Sequence, residues 1–294
     1  LAANIMKTLV QNLQGGPLNP ASPVALTMKH FPGGGPQEMG LDPHYAFGKN
    51  QVYPAGNFGW HLKPWQAAID AGVSSIMPYY GVPIDVTYEG VRYEQTGMAF
   101  SKQVVTDLLR GKLGFKGYVN SDTGVINDRA WGLEGKTVPE RVAAAINGGT
   151  ETLSGFNDVK TITDLVAAGL LSEARVTEAA KRLVKPMFEL GLFENPYVND
   201  TQATAAVGSE ANRTAGLDVQ RKSLVLLQNQ GAPDSKALPA APSARVYTMG
   251  IDSTDAKKYF TTVTNGETDA AGVALTRDAA GNVVSRPSAA GFDR

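Results

Sequence analysis

Asp122 closes the run Gly117-Tyr118-Val119-Asn120-Ser121-Asp122, in which a short β-prone segment follows the turn Gly114-Phe115-Lys116-Gly117. The carboxylate falls where a buried strand runs out into a loop, which in a (β/α)8 barrel is the catalytic rim. A second strand-end cluster, Thr27-Met28-Lys29-His30-Phe31, runs into Pro32-Gly33-Gly34-Gly35 and sets an ammonium and an imidazole beside a glycine turn. Lysine offers donors only and histidine either role, so the pair suits the hydroxyl groups of a ligand. Adjacent strand residues point to opposite faces; both reach one ligand only where the strand ends and the backbone turns. Each cluster also has a plainer reading. Asp122 in Ser121-Asp122-Thr123-Gly124 suits the cap of a turn, Lys29 an ion pair and His30 the core.

Asp42-Pro43-His44 places an acid beside an imidazole that titrates near neutrality, a pairing able to hand over a proton; a loop-ordering ion pair uses the same residues. His61, in Trp60-His61-Leu62-Lys63-Pro64-Trp65, reads as a packing or helix-start residue. Gly33-Gly34-Gly35 lacks the Gly-Lys-Ser/Thr ending of a phosphate loop.

The elements that position these groups alternate. Strands are expected at 24–29, 74–77, 118–121 and 150–153, and helices at 64–71, 101–110, 138–147, 158–168 and 174–190. Thr137 and Glu140 have capping-box spacing with Pro139 in the first turn, and Gly191 suits a left-handed helix end. Alternating β and α segments argue for a parallel sheet. Residues 2–14 read as a helix already under way, 199–208 as a polar connection, 221–229 as a helix-to-strand passage, and 266–294 as a hairpin or a poorly ordered end.

Composition narrows the partners. A 294-residue chain with 43% hydrophobic and 19% charged residues can bury a sizeable core. Lys+Arg of 27 against Asp+Glu of 28 leaves no basic stripe for nucleic acid. No apolar run approaches the roughly 20 residues that span a bilayer, so neither nucleic acid nor membrane is an expected partner. Zero Cys excludes disulfides and thiolates, and the three His, at 30, 44 and 61, form no clustered ligand pattern, so no structural metal is expected. The opening Leu1-Ala2-Ala3-Asn4 has no basic segment followed by an apolar one, leaving localisation open, with periplasm or secretion both compatible.

Five segments, in order, resemble glycoside hydrolase family 3, the β-glucosidase-type enzymes. They are Lys29-His30-Phe31, Gly72-Val73-Ser74-Ser75-Ile76-Met77-Pro78-Tyr79-Tyr80, Leu113-Gly114-Phe115-Lys116-Gly117-Tyr118-Val119-Asn120-Ser121-Asp122, Gly191-Leu192-Phe193-Glu194-Asn195-Pro196 and Lys222-Ser223-Leu224-Val225-Leu226-Leu227-Gln228-Asn229. The resemblance implies an α/β chain: a (β/α)8 barrel, partial here, followed by the beginning of an α/β sandwich domain. Residues 1–200 are then the second half of the barrel, 201–216 a linker and 217–294 the start of the sandwich. An open half-barrel is expected to need the remainder of its own polypeptide or a homo-oligomer partner.

The activity implied is retaining, exo-acting hydrolysis of terminal β-glucosides or oligosaccharides, with no cofactor. β-N-acetylglucosaminidase and β-xylosidase are the alternatives within the family, and a non-catalytic sugar-binding relative is the rival outside catalysis. By the resemblance Asp122 is the nucleophile, and Lys29, His30 and Tyr80 bind the substrate. Glu151 stands where the family usually has Asp and reads as structural, while Thr123 stands where many members have Trp. Most two-domain members take the acid/base from a Glu of the sandwich, here expected beyond Arg294. The N-acetylglucosaminidase branch uses a loop His in Asp-Ser-His, a place matched by Asp42-Pro43-His44, which makes His44 the candidate acid/base.

Overall fold

Three parallel strands lie side by side in the order in which the chain makes them: β1 (Thr27–Phe31), β2 (Ser75–Pro78) and β3 (Tyr118–Val119). Thr27 pairs with Ser75, and Ile76 with Val119. Beyond β3, a parallel bridge joins Asn120 to Thr152. Parallel neighbours require long crossovers, and helices supply them. α1 (Ala2–Leu9) leads in, α2 (Phe58–Asp70) joins β1 to β2, the wide π-helix Gln103–Lys112 joins β2 to β3, and α3 (Val138–Gly148) precedes Thr152. α4 (Val159–Ala167) and α5 (Glu173–Glu189) follow. The computed structural model describes residues 1–230 and 238–266, and the chain divides into two units, the first being Leu1–Val198.

Pairing begins at Thr27 rather than at residue 24, and Gln14 supplies the reason. Its fully buried side chain accepts from the amides of Leu26 and Ser74, each at 3.1 Å, and donates to Gly72 O at 2.7 Å. These groups just ahead of β1 and β2 are thus satisfied by one side chain instead of a ladder. Gly117 lets β3 approach β2, since a Cβ there would lie 2.0 Å from Ser74 O.

The helix expected at 64–71 starts earlier, at Phe58, and carries Pro64 inside it. An internal proline forfeits one helical hydrogen bond. Burial of Phe58, Leu62, Trp65 and Ala68 against the sheet offsets that loss. Thr137 and Glu140 do form the capping box at the start of α3, and Gly191 takes φ 70° after α5.

The segment expected as a linker, 201–216, is helical: α6 (Asp200–Ala206) and α7 (Glu210–Ser223) occupy it. Asn199 and Ser209 cap them, accepting from the amides of Gln202 and Asn212; a polar run that reads as a connection supplied helix caps instead. The strand expected after residue 223 forms no strand pairing among the described residues. In this second unit β4 (Arg245–Thr248) and β5 (Thr262–Asn265) are parallel, with the short α8 (Ser253–Ala256) between them. Residues 267–294, read as a hairpin or loose end, lie outside the described residues.

Two apolar clusters support the first unit: Phe31, Trp65, Ile76, Leu109 and Val119 in one, and Tyr80, Val125, Ile126, Val142 and Leu171 in the other. Between the strands and α5 lies a buried acid. The Glu151 side chain is 0% exposed and meets Arg110 at 2.6 Å, Arg182 at 2.8 Å and Arg175 at 3.1 Å, while also accepting the Val119 amide at 2.7 Å. Its structural reading from sequence thus has a geometric basis. Glu151→Ala leaves three guanidinium groups facing one another without their shared anion, and the expected cost is about 3–5 kcal/mol of unfolding free energy in urea titrations; a loss under about 1 kcal/mol would contradict the network's role.

Candidate active site

β3 ends at Val119 and the chain beyond it is held by a row of contacts to the neighbouring 152–154 segment. The Ser121 amide donates to Thr152 O at 2.9 Å and the Gly124 amide to Ser154 O at 3.0 Å. The Ser154 amide donates to Ser121 Oγ at 2.9 Å, and that hydroxyl donates to Asp122 O at 2.9 Å. Asp122 therefore stands on a pinned loop. Its Oδ1 accepts the Thr123 amide at 2.7 Å, and its Oδ2 lies 3.1 Å from His30 Nε2. The turn-capping reading of Asp122 is thus met by one oxygen, and the second remains directed at the imidazole.

His30 comes to Asp122 because β1 lies two strands away and breaks its regular alternation at that point. The register with β2 shifts between Lys29 and Phe31, where the Lys29–His30 and Phe31–Pro32 peptide bonds are both cis. Phe31 is fully buried and packs edge-on against Trp65 at 5.0 Å, while Trp65 Nε1 donates to Pro32 O at 2.9 Å. One tryptophan of α2 thus anchors the end of β1. Lys29 is exposed, and the His30 side chain is 30% exposed against 13% for Asp122.

The loop carrying Asp42 and His44 reaches the same place. Asp42 Oδ1 accepts both the His44 amide, at 2.9 Å, and Nδ1 of its ring, at 2.7 Å. The His44 ring meets Tyr80 edge-on at 5.0 Å. Trp131 Nε1 donates to Pro43 O at 2.8 Å, and Lys49 pairs with Glu134 at 2.5 Å, so the 131–134 stretch anchors the loop.

The electrostatics follow from these neighbours. Burial pulls the His30 pKa below its ordinary value, Asp122 opposes that shift, and the charges of Lys29 and His44 add to it. The Asp42 carboxyl is held below the usual range chiefly by the His44 amide and then by the His44 ring. Burial first, and then the Asp122 carboxylate, push the Tyr80 phenol up, so it stays a neutral donor.

The structure brings Asp122, His30, His44 and Tyr80 together, with Lys29 beside His30. Tyr80, expected to bind the substrate, is 3% exposed and donates its hydroxyl to Thr123 O at 2.6 Å, so it braces the loop beside Asp122. Reading the sequence missed Trp131 and Arg129, whose contacts cross between loops and leave no local periodicity; the turn at Gly124 was the available signal. His61 lies in α2 and meets Tyr53 edge-on at 5.3 Å, as a packing residue. Among the described residues no group of three or more His, Cys, Asp or Glu could hold a metal ion, and no helix is long and apolar enough to cross a membrane.

Sequentially wound parallel β/α units thus present a carboxylate, Asp122, beside an imidazole, His30, at the strand ends. Residues 1–185 match the family model for the glycosyl hydrolase family 3 N terminal domain. Beta-glucosidase C of Emericella nidulans is 40% identical over 282 residues, covering 92% of this chain and 44% of that protein. The periplasmic beta-glucosidase/beta-xylosidase of Dickeya chrysanthemi is 34% identical over 298 residues, covering 94% of this chain and 44% of that protein. The chain belongs to glycosyl hydrolase family 3. Two solved structures share the fold. A beta-glucosidase involved in saponin metabolism from intestinal bacteria has a TM-score of 0.71 at 22% identity, over 97% of this chain and 41% of that one. The Listeria innocua beta-glucosidase in complex with glucose has a TM-score of 0.66 at 23% identity, over 90% of this chain and 37% of that one. The chain spans less than half the length of these relatives.

Because Asp122 is the cause that raises the His30 pKa, Asp122→Asn is expected to move the His30 midpoint further down in an NMR titration of the ring. A midpoint equal to or above the unsubstituted protein's would contradict the assigned pairing.

Proposed function

We propose that this chain carries the nucleophile half of a retaining, exo-acting β-glucosidase. The observation that carries the reading is the bipartite hold on Asp122, with Oδ1 on the Thr123 amide and Oδ2 facing His30. An ionised carboxylate so directed attacks the anomeric carbon as the bond to the leaving oxygen breaks, giving a covalent glycosyl-enzyme. His44, oriented through Nδ1 by Asp42, gives its proton to that oxygen. It then takes one from the water that attacks the same carbon and releases Asp122. Two inversions return the original configuration. Lys29 donates to hydroxyls of the sugar, and neutral His30, whose Nε2–H faces the Asp122 carboxylate, leaves Nδ1 to accept from one. No step in this scheme calls for a cofactor.

On the same reading β1, β2, β3 and the 150–152 segment are consecutive strands of a (β/α)8 barrel, and the unit from Asn199 begins an α/β sandwich. The outer edges of β1 and of the 152 segment pair with no strand among the described residues; the remainder of the polypeptide or a second copy fills them. A periplasmic location accords with the name of the Dickeya relative.

Trapping with an activated 2-deoxy-2-fluoro-β-glucoside, followed by peptide mapping, tests the reading. The label is expected on Asp122 and is expected to vanish in Asp122→Ala. A label on another residue would sink the assignment, and no label at all would favour a sugar-binding protein. Faster labelling by the corresponding xyloside would move the substrate to β-xylosides, the alternative that the Dickeya relative's name favours.

A further inference from the structure

One charged side chain with no role so far touches two parts of the site and acts electrostatically on a third. Arg129 Nη1 donates to Thr123 O at 3.3 Å, and the guanidinium carbon lies 5.4 Å from the centre of the Tyr80 ring. Its charge also helps to keep Asp42 ionised. Tyr80 donates its hydroxyl to that same Thr123 carbonyl at 2.6 Å. A carbonyl oxygen has two lone pairs, and the two donors together commit it. The Thr123 N–H lies in the peptide plane of the Asp122 carbonyl, which Ser121 Oγ holds at 2.9 Å; fixing the Thr123 carbonyl locks the next plane, so the Thr123 Cα between them is restrained from both sides and its N–H stays on Asp122 Oδ1 at 2.7 Å.

The surrounding chain leaves room for this arrangement. Gly124 takes φ 76°, and a Cβ there would come within 2.8 Å of Arg129 Nη1. The amides of Asp128 and Arg129 both donate to Gly124 O, at 2.9 and 3.0 Å, which folds the turn back and returns the guanidinium to the carbonyl it binds.

We propose that Arg129 is a positioning residue for the nucleophile: together with Tyr80 it clamps the Thr123 carbonyl, so that the Thr123 N–H holds the Asp122 carboxylate in its direction of attack. The inference rests on the reading of Asp122 as nucleophile. It assigns Arg129 no contact with substrate. Its effect belongs to the chemical step, because misplacing a reacting group by about 1 Å costs about 100-fold in rate while leaving substrate contacts in place.

The test is the kinetics of trapping by a 2-deoxy-2-fluoro-β-glucoside on the full polypeptide, with inactivation rate and inhibitor affinity measured separately. Arg129→Ala is expected to slow labelling about 10- to 100-fold with affinity changed less than about threefold. Tyr80→Phe, which removes the other donor and keeps the ring, is expected to show the same split. Arg129→Gln keeps a shorter donor and serves in place of Arg129→Ala if that variant does not fold; it is expected to slow labelling less than Tyr80→Phe. Labelling of Arg129→Ala at the unsubstituted rate, or a loss confined to affinity, overturns the clamp while leaving Asp122 as the labelled residue. A label elsewhere in the unsubstituted protein overturns both.

Discussion

A carboxylate at the end of a β-strand can rotate freely unless something outside the ladder holds it, and in this chain that hold is a backbone amide. Thr123 N–H takes one oxygen of Asp122 and leaves the other facing His30. The amide is only as fixed as the loop that carries it, so the loop's own restraints set the geometry of the site. They come from the 152–154 segment on one side and from Tyr80 and Arg129 on the other. A hydrogen bond to a charged acceptor contributes roughly twice as much as a neutral one, which makes this amide the junction between backbone order and chemistry.

The scaffold around that junction relies on two tryptophans. Trp65, on α2, anchors the end of β1 through Pro32, and Trp131 anchors the His44 loop through Pro43. In each case an indole N–H reaches a carbonyl within two residues of a candidate site residue, while its ring joins an apolar cluster. Core packing and site geometry are therefore coupled. Glu151 does comparable work away from the site, joining Arg110, Arg175 and Arg182 to the amide of Val119 at the end of β3.

Much of this was legible in the sequence where the signal is local. The capping box at Thr137, the left-handed Gly191 and the short strand ahead of Asp122 each follow from residue types within a few positions of one another. Lys29 and His30 were legible as a pair, since a glycine turn directly follows them. What the sequence hid depends on partners distant along the chain. Pro64 reads as a helix start until the buried face from Phe58 to Ala68 is seen, and the late start of β1 depends on Gln14. The bond from Tyr80 to the Thr123 carbonyl joins residues 43 positions apart and has no local signal. Arg129 gives no periodic signal at all, because its partners are a carbonyl and a ring on other segments.

The central claim is that Asp122 attacks and His44 handles the proton, and the configuration of the product formed when azide rescues each variant separates these roles. With an activated aryl β-glucoside, azide should enter the space left in Asp122→Ala from the face opposite the leaving group and give the α-glucosyl azide. In His44→Ala it should instead displace Asp122 from the glycosyl-enzyme and give the β-glucosyl azide. Proton NMR of the anomeric position reads the outcome directly, and a β product from Asp122→Ala would contradict the account.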